Sequence, residues 1–149
     1  MIAVDLSENG ARVIALVGAR EHILKSRIFG RLCTGLRHFR RVSPSRRASY
    51  IRFFERRYMK LKEVLALAKV TLSVDSAERI LSFYRPAVII VDDKLFRRLG
   101  HGTKIRESAP KPRYMDDLMA IADNLANYLR ILQSKNTKKF QQVTQRITK

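Results

Sequence analysis

Apolar and polar positions change their spacing several times along this chain, and each change predicts an element. Residues 2–7 alternate, with Ile2, Val4 and Leu6 on one side and Ala3, Asp5 and Ser7 on the other, the period-two signature of a strand. Glu8-Asn9-Gly10 follows as a turn, because Asn and Gly tolerate positive φ. A second apolar strand is expected over 11–17 and a turn over 18–21. A third strand is expected over 22–29, with Lys25 and Arg27 on its exposed face. Three strands with such short connections make an antiparallel meander.

The spacing then changes. Residues 30–47 (GRLCTGLRHFRRVSPSRR) read as a basic linker with a short helix at 34–41. From about Ser49, an apolar stripe of Ile51, Phe54, Tyr58, Leu61, Leu65 and Ala68 advances in steps of three and four, predicting a long amphipathic helix to about Val70. Asp75 and Glu78 form a capping-box-like start to a helix of about two turns, which Arg85-Pro86 stops. Ala87 to Val91 is a continuous apolar run, as expected of a strand buried on both faces. Residues 94–113 read as a second basic connection, and 114–132 as a final helix. The tail beyond Ser134 is expected to be frayed, or ordered only on binding. The predicted order is β-β-β-α-α-β-α, an α/β fold in which a parallel strand reached by a helical crossover joins the meander, with helices on both faces. One domain over 1–132 and a basic tail over 133–149 follow from this pattern.

Charge adds a partner to the picture. The chain has 31 Lys+Arg against 13 Asp+Glu, a net charge of +18. Residues 20–62 alone carry +12 and residues 133–149 carry +5. Such an excess points to a polyanion, and nucleic acid is the expected one, either DNA or RNA. The basic residues are spread over several elements instead of one amphipathic helix, which argues against a membrane surface. Candidate phosphate contacts are Arg37, Arg40, Arg41, Arg46, Arg47, Arg52, Arg56, Lys60, Lys138 and Lys139. The lone Cys33 excludes an internal disulfide and a multi-cysteine zinc site. With no signal-peptide pattern and no apolar run near about 18 residues, a soluble cytoplasmic protein is expected, and a homodimer is allowed.

The few acids stand out against this background. Asp5 lies inside the first strand, Asp92 and Asp93 end the buried strand at 87–91, and Asp123 lies within the last helix. Asp116 and Asp117 fall in that helix's first turn, where the helix dipole explains them. Asp123 has two readings, an inward ligand or an ordinary helix carboxylate paired with Arg130. Converging carboxylates would repel one another unless a hard cation such as Mg2+ or Mn2+ joined them. His22, His38 and His101 have no metal-ligand spacing, and a solvated loop histidine is the expectation for His101.

Three segments carry a family resemblance. IAVDLSENG resembles the first-strand motif of the RNase H-like superfamily, and within it of the RuvC-type nucleases. AVIIVDDK resembles the fourth-strand motif, with Asp92 where Glu is commoner, and ADNLA at 122–126 resembles the last-helix motif. The Arg-rich stretch 37–60 resembles the basic insertion of TnpB-type RuvC domains, without their zinc-binding cysteines. The resemblance implies an RNase H-like fold and catalytic acids Asp5, Asp92 and Asp123, with Asp93 as a reserve ligand. It further implies a metal-dependent endonuclease. A non-catalytic nucleic-acid-binding or ribonucleoprotein component on the same fold is the alternative, and convergence of the carboxylates discriminates the two.

Overall fold

The computed structural model describes residues 1–9, 11–100 and 102–149. The turn expected at Gly10 and the loop histidine His101 lie outside the described residues. Strands β1 (Ile2–Asn9) and β2 (Ala11–Gly18) pair antiparallel from Ile2↔Gly18 to Asn9↔Ala11. The alternation read from the sequence holds in β1: Val4 packs on one side of the sheet and Ala3 on the other.

The segment expected as the third strand is helical. Residues 22–29 fall in α1 (Glu21–Leu24) and α2 (Arg27–Leu32), joined at Ser26. The Ser26 hydroxyl accepts the Phe29 N–H at 3.1 Å and donates to the Ile23 carbonyl at 2.6 Å. Leu24, Phe29 and Cys33 are the buried positions, and spacings of five and four suit two short helices better than an alternating strand. Two 3-10 turns, Phe39–Arg41 and Pro44–Arg46, lie where a helix at 34–41 and a linker were expected.

Helix α3 (Arg47–Val64) carries the predicted stripe but stops six residues early. Leu65 turns extended, and β3 (Leu67–Thr71) pairs antiparallel with β2 as the true third strand. Helix α4 (Val74–Tyr84) is capped by Ser73, whose hydroxyl accepts the Ser76 N–H, so it begins before Asp75. It ends at Arg85, which adopts φ 45° ahead of Pro86. β4 (Val88–Val91) then runs parallel to β1, and a fifth strand, β5 (Thr103–Arg106), runs parallel to β4 inside the expected basic connection. Gly102 enters β5 at φ 59°, where a Cβ would stand 2.7 Å from the Pro86 carbonyl oxygen.

The sheet order is β3-β2-β1-β4-β5. The overall order is therefore β-β-α-α-α-β-α-β-β-α-α, in place of β-β-β-α-α-β-α. Helix α4 covers one face of the sheet, packing Ala77 and Leu81 on Val4, Leu16, Ile89 and Val91. The long α5 (Arg113–Lys135) covers the other with Leu118, Ile121, Ala122 and Leu125.

The tail expected to fray forms α6 (Thr137–Ile147). Asn136 caps it by accepting the Lys139 N–H, and Phe140, Val143 and Ile147 fall on one face and enter the core. Lys149 exchanges backbone hydrogen bonds with Ala68 at 3.0 and 2.7 Å. That pairing covers part of the open edge of β3, an edge otherwise free to pair with other chains. Among the described residues, no helix is long and apolar enough to cross a membrane.

Candidate metal centre

Strand register brings three carboxylates into one row. The last ladder pair between β1 and β4 is Val4↔Val91, and the Asp92 N–H donates to the Val4 carbonyl at 3.0 Å. Asp92 therefore stands level with Asp5. On the next strand Val91 pairs with Arg106, and the Glu107 N–H donates to the Val91 carbonyl at 2.8 Å, which sets Glu107 level with Asp92. Neighbouring strands lie about 4.8 Å apart, so acids at one level on one face must meet. One carboxylate oxygen from each of Asp5, Asp92 and Glu107 lies within 4.8 Å of the other two.

Two of the three are shut away from water, and Glu107 is half-buried. Asp5 is 2% exposed and Asp92 8%. Burial pushes the Asp5 carboxyl well above the ordinary carboxylate range, and the charges of Asp123, Asp92 and Glu107 push it the same way. Burial also raises Glu107, reinforced by Asp92. Among the described residues, no lysine or arginine forms an ion pair with Asp5 or Asp92. Two buried carboxylates without a lysine or arginine partner, beside the half-buried Glu107, have the oxygen-donor chemistry of a divalent-cation site.

Helix α5 supplies Asp123 from above this face. Its Oδ2 accepts the Phe39 backbone N–H at 2.6 Å, and its Oδ1 accepts the Asn127 amide at 3.1 Å. Burial raises the Asp123 carboxyl, against the lowering effect of the Phe39 N–H and of His38. Arg130, the partner expected of an ordinary helix carboxylate, donates its Nε to Ser7 Oγ at 2.7 Å instead. Ser7 in turn donates to Asn127 Oδ1 at 3.0 Å, so the chain Arg130–Ser7–Asn127 fixes the orientation of Asp123. Asp123 is the first neighbouring charge acting on Asp5.

The other acids stand apart. Asp93 faces solvent, where the Ser108 hydroxyl first, and then the Ser108 N–H at 3.4 Å, hold its carboxyl below the ordinary range. Asp116 is exposed and pairs with Lys111 at 3.4 Å. Glu107 was missing from the acids singled out in the sequence. It follows Thr103-Lys104-Ile105-Arg106, a strand of four residues with no apolar run and no clean alternation. Its one signal was an acid directly after that segment. Glu55 of α3 is committed to the Tyr128 hydroxyl.

The basic residues divide into two groups. Arg37, Arg40 and Arg41 are exposed on the segment anchored to α5 through Asp123 and Asn124. The Arg40 charge acts on Glu107, Asp123 and His38, which places it at the rim of the acidic row. Arg46 is exposed nearby, while Arg47 is half-buried over the Phe39 ring at 5.1 Å. Arg52, Arg56 and Lys60 are exposed on α3, beside Arg57 stacked on Phe53 at 5.1 Å, and Lys138 and Lys139 are exposed on α6.

This chain matches no family model and no curated protein. It is similar to the crystal structure of ribonuclease H2 from Pyrococcus horikoshii OT3, with a TM-score of 0.55 and 16% sequence identity. The match covers 93% of this chain and 76% of that one. At this identity the likeness establishes the fold, an RNase H-like α/β architecture around a mixed five-stranded sheet.

Proposed function

We propose that this protein is a divalent-metal-dependent nuclease that binds structured DNA or RNA and cleaves its phosphodiesters. The observation that carries the proposal is the convergence of Asp5, Asp92 and Glu107 within 4.8 Å on an RNase H-like sheet, with Asp5 and Asp92 buried, Glu107 half-buried, and no lysine or arginine paired with Asp5 or Asp92 among the described residues. In this reading those three hold the first ion, and Asp123, fixed by Phe39 and Asn127, completes the cluster. Asp93 plays no part. A bound Mg2+ or Mn2+ supplies positive charge to the phosphate oxygens and makes water more acidic. The chain's own residues do the rest. Arg40 and Arg41 at the rim hold the flanking phosphates, and the apolar floor around Ala3 and Ile90 excludes bulk water beneath the row.

The non-catalytic alternative predicts carboxylates on separate surfaces, and their convergence favours the enzyme. RuvC-type action on branched DNA is one arm of the test. The experiment is a binding and cleavage panel over branched DNA, single strands and RNA–DNA hybrid, with Mg2+, with Mn2+ and with chelator. Wild type should cleave at least one substrate only when metal is present. Asp5→Asn and Glu107→Gln should bind it with little change and fail to cleave it. Equal cleavage by wild type and both variants would sink the assignment, and tight binding without cleavage of any substrate would restore the non-catalytic reading.

A further inference from the structure

His38 sits at the head of the first 3-10 turn, and both of its chain neighbours are clamped. The Arg37 carbonyl accepts the Tyr50 hydroxyl and the Asn124 amide, each at 2.9 Å, and the Arg37 N–H donates to the Tyr50 oxygen at 3.1 Å. On the other side, the Phe39 N–H is bound to Asp123. Phe39, Val42 and Tyr50 form a small apolar cluster beneath the segment. With its backbone held this firmly, the imidazole has few places to go.

Its Nδ1 points at the acidic cluster, 3.3 Å from Glu107 Oε1 and 3.9 Å from Asp123 Oδ2. That nitrogen is buried, and neither approach has the geometry of a hydrogen bond. A buried ring nitrogen left unpaired is unfavourable unless something else meets it. In its Nε2–H tautomer the neutral imidazole presents a lone pair there, directed at the same space as the carboxylate oxygens. Ligands of one small cation, bound at about 2.0–2.2 Å each, stand roughly 3 Å apart, and the His38–Glu107 separation matches that spacing.

We propose that His38 Nδ1 is a ligand, alongside Glu107, to a divalent cation held at this cluster, giving the site a nitrogen donor among its oxygens. The proposal rests on the reading of the cluster as a cation site. A nitrogen donor favours Mn2+ over Mg2+, because imidazole suits transition ions while Mg2+ holds to oxygen.

The test reads coordination directly. Metal-free protein is titrated with Mn2+, binding is followed by the loss of the free-ion electron paramagnetic resonance signal, and the bound ion is examined by pulsed resonance for coupling to 14N. The expected result is one directly bonded nitrogen in wild type, absent in His38→Gln. The variant should also lose at least tenfold in Mn2+ affinity while Mg2+ affinity changes less. Mn2+ bound in wild type with oxygen ligands only, or nitrogen coupling retained in His38→Gln, overturns the role of His38 and leaves the cation site standing. No Mn2+ binding by wild type overturns both. The wild-type spectrum decides even if the variant does not fold.

Discussion

The two sides of strand β1 are equally buried and chemically opposed. On the side facing α4, Ile2, Val4 and Leu6 meet Ile14, Leu16, Ile89 and Val91, with no polar group among them. On the side facing α5, Ala3 is followed by Asp5 and Ser7, and Asp5 is joined by Asp92 and Glu107. Val4 is 0% exposed and Asp5 2%, so burial alone does not separate them. The energetics do. Removing an apolar side chain from water stabilises the fold, whereas burying several carboxylates without basic partners opposes it. A row kept against that penalty has a role outside folding.

Two asparagines, placed one residue apart, give the largest contrast. Val4→Asn buries an amide without a partner and removes a packed side chain. It should destabilise by about 3–5 kcal/mol, lowering the melting temperature by roughly 10 °C or more. Asp5→Asn keeps the shape, removes one of the clustered charges and offers an N–H to the neighbouring carboxylates. Its melting temperature in chelator should rise, while metal-dependent cleavage should fall by about a thousandfold or more if the ion contributes several kcal/mol. Thermal melts in chelator and single-turnover cleavage check both. A destabilised Asp5→Asn would mean that the row holds the fold together and would undo the contrast.

The next effect is a pH dependence confined to the acidic side. Asp5, Glu107 and Asp123 all have folded-state pKa values raised above their unfolded ones. Below the unfolded carboxylate range, about 4, both states are protonated and the stabilising contribution is fully present. As pH rises through the raised folded values, the native state gives up protons that it had kept, and the contribution is lost. Metal-free wild type should therefore lose stability on going from pH 4 upward, and Asp5→Asn should lose less. Mn2+ should remove most of the difference, because a bound cation favours the ionised row. Urea melts from pH 4 to 8, with and without Mn2+, measure this. Curves for wild type and Asp5→Asn that stay parallel over that range would contradict it.

How much of this was legible in the sequence depends on the length of the local signal. The hairpin of β1 and β2, the stripe of α3, the Arg85-Pro86 stop and the helix over 114–132 each rest on eight or more patterned residues or on a strong breaker. Short elements failed. Residues 22–29 are too few to show a period and carry β-branched and aromatic residues at both ends, and only the Ser26 cap and the burial of Leu24 and Phe29 reveal two helices. The start of β3 was absorbed into α3, because Leu65 and Ala68 continue the helical stripe and neither Gly nor Pro marks the change. Losing β5 also hid Glu107, whose position depends on pairing with β4 across a segment that looks polar. The structure places Asp5 and Asp92 together with Asp123 close by, and leaves Asp93 in solvent. Register decided which of two adjacent acids turned inward, and one sequence carries no register for a parallel pair.

The smallest effect concerns the two groups of arginines, and it decides where nucleic acid lies. Arg40 and Arg41 project from the segment tied to Asp123, and the Arg40 charge is felt at Glu107. Arg52 and Arg56 lie on the exposed side of α3. A strand positioned for cleavage at the row must cross the first group, and needs the second only if it extends along the helix. Glutamine is the better substitution, since glutamate beside the row would add to its repulsion. Each duplex phosphate that the protein ceases to neutralise should flatten the dependence of log affinity on log salt by about 0.9. Arg40→Gln with Arg41→Gln should therefore lower the slope by one to two such steps and weaken binding several-fold in chelator, where the metal plays no part. The pair Arg52→Gln and Arg56→Gln should change the slope less on a short duplex and comparably on a long one. If the short duplex instead responds only to the α3 pair, bound nucleic acid runs along α3 and away from the acidic row, which would break the link between the binding surface and the proposed metal centre.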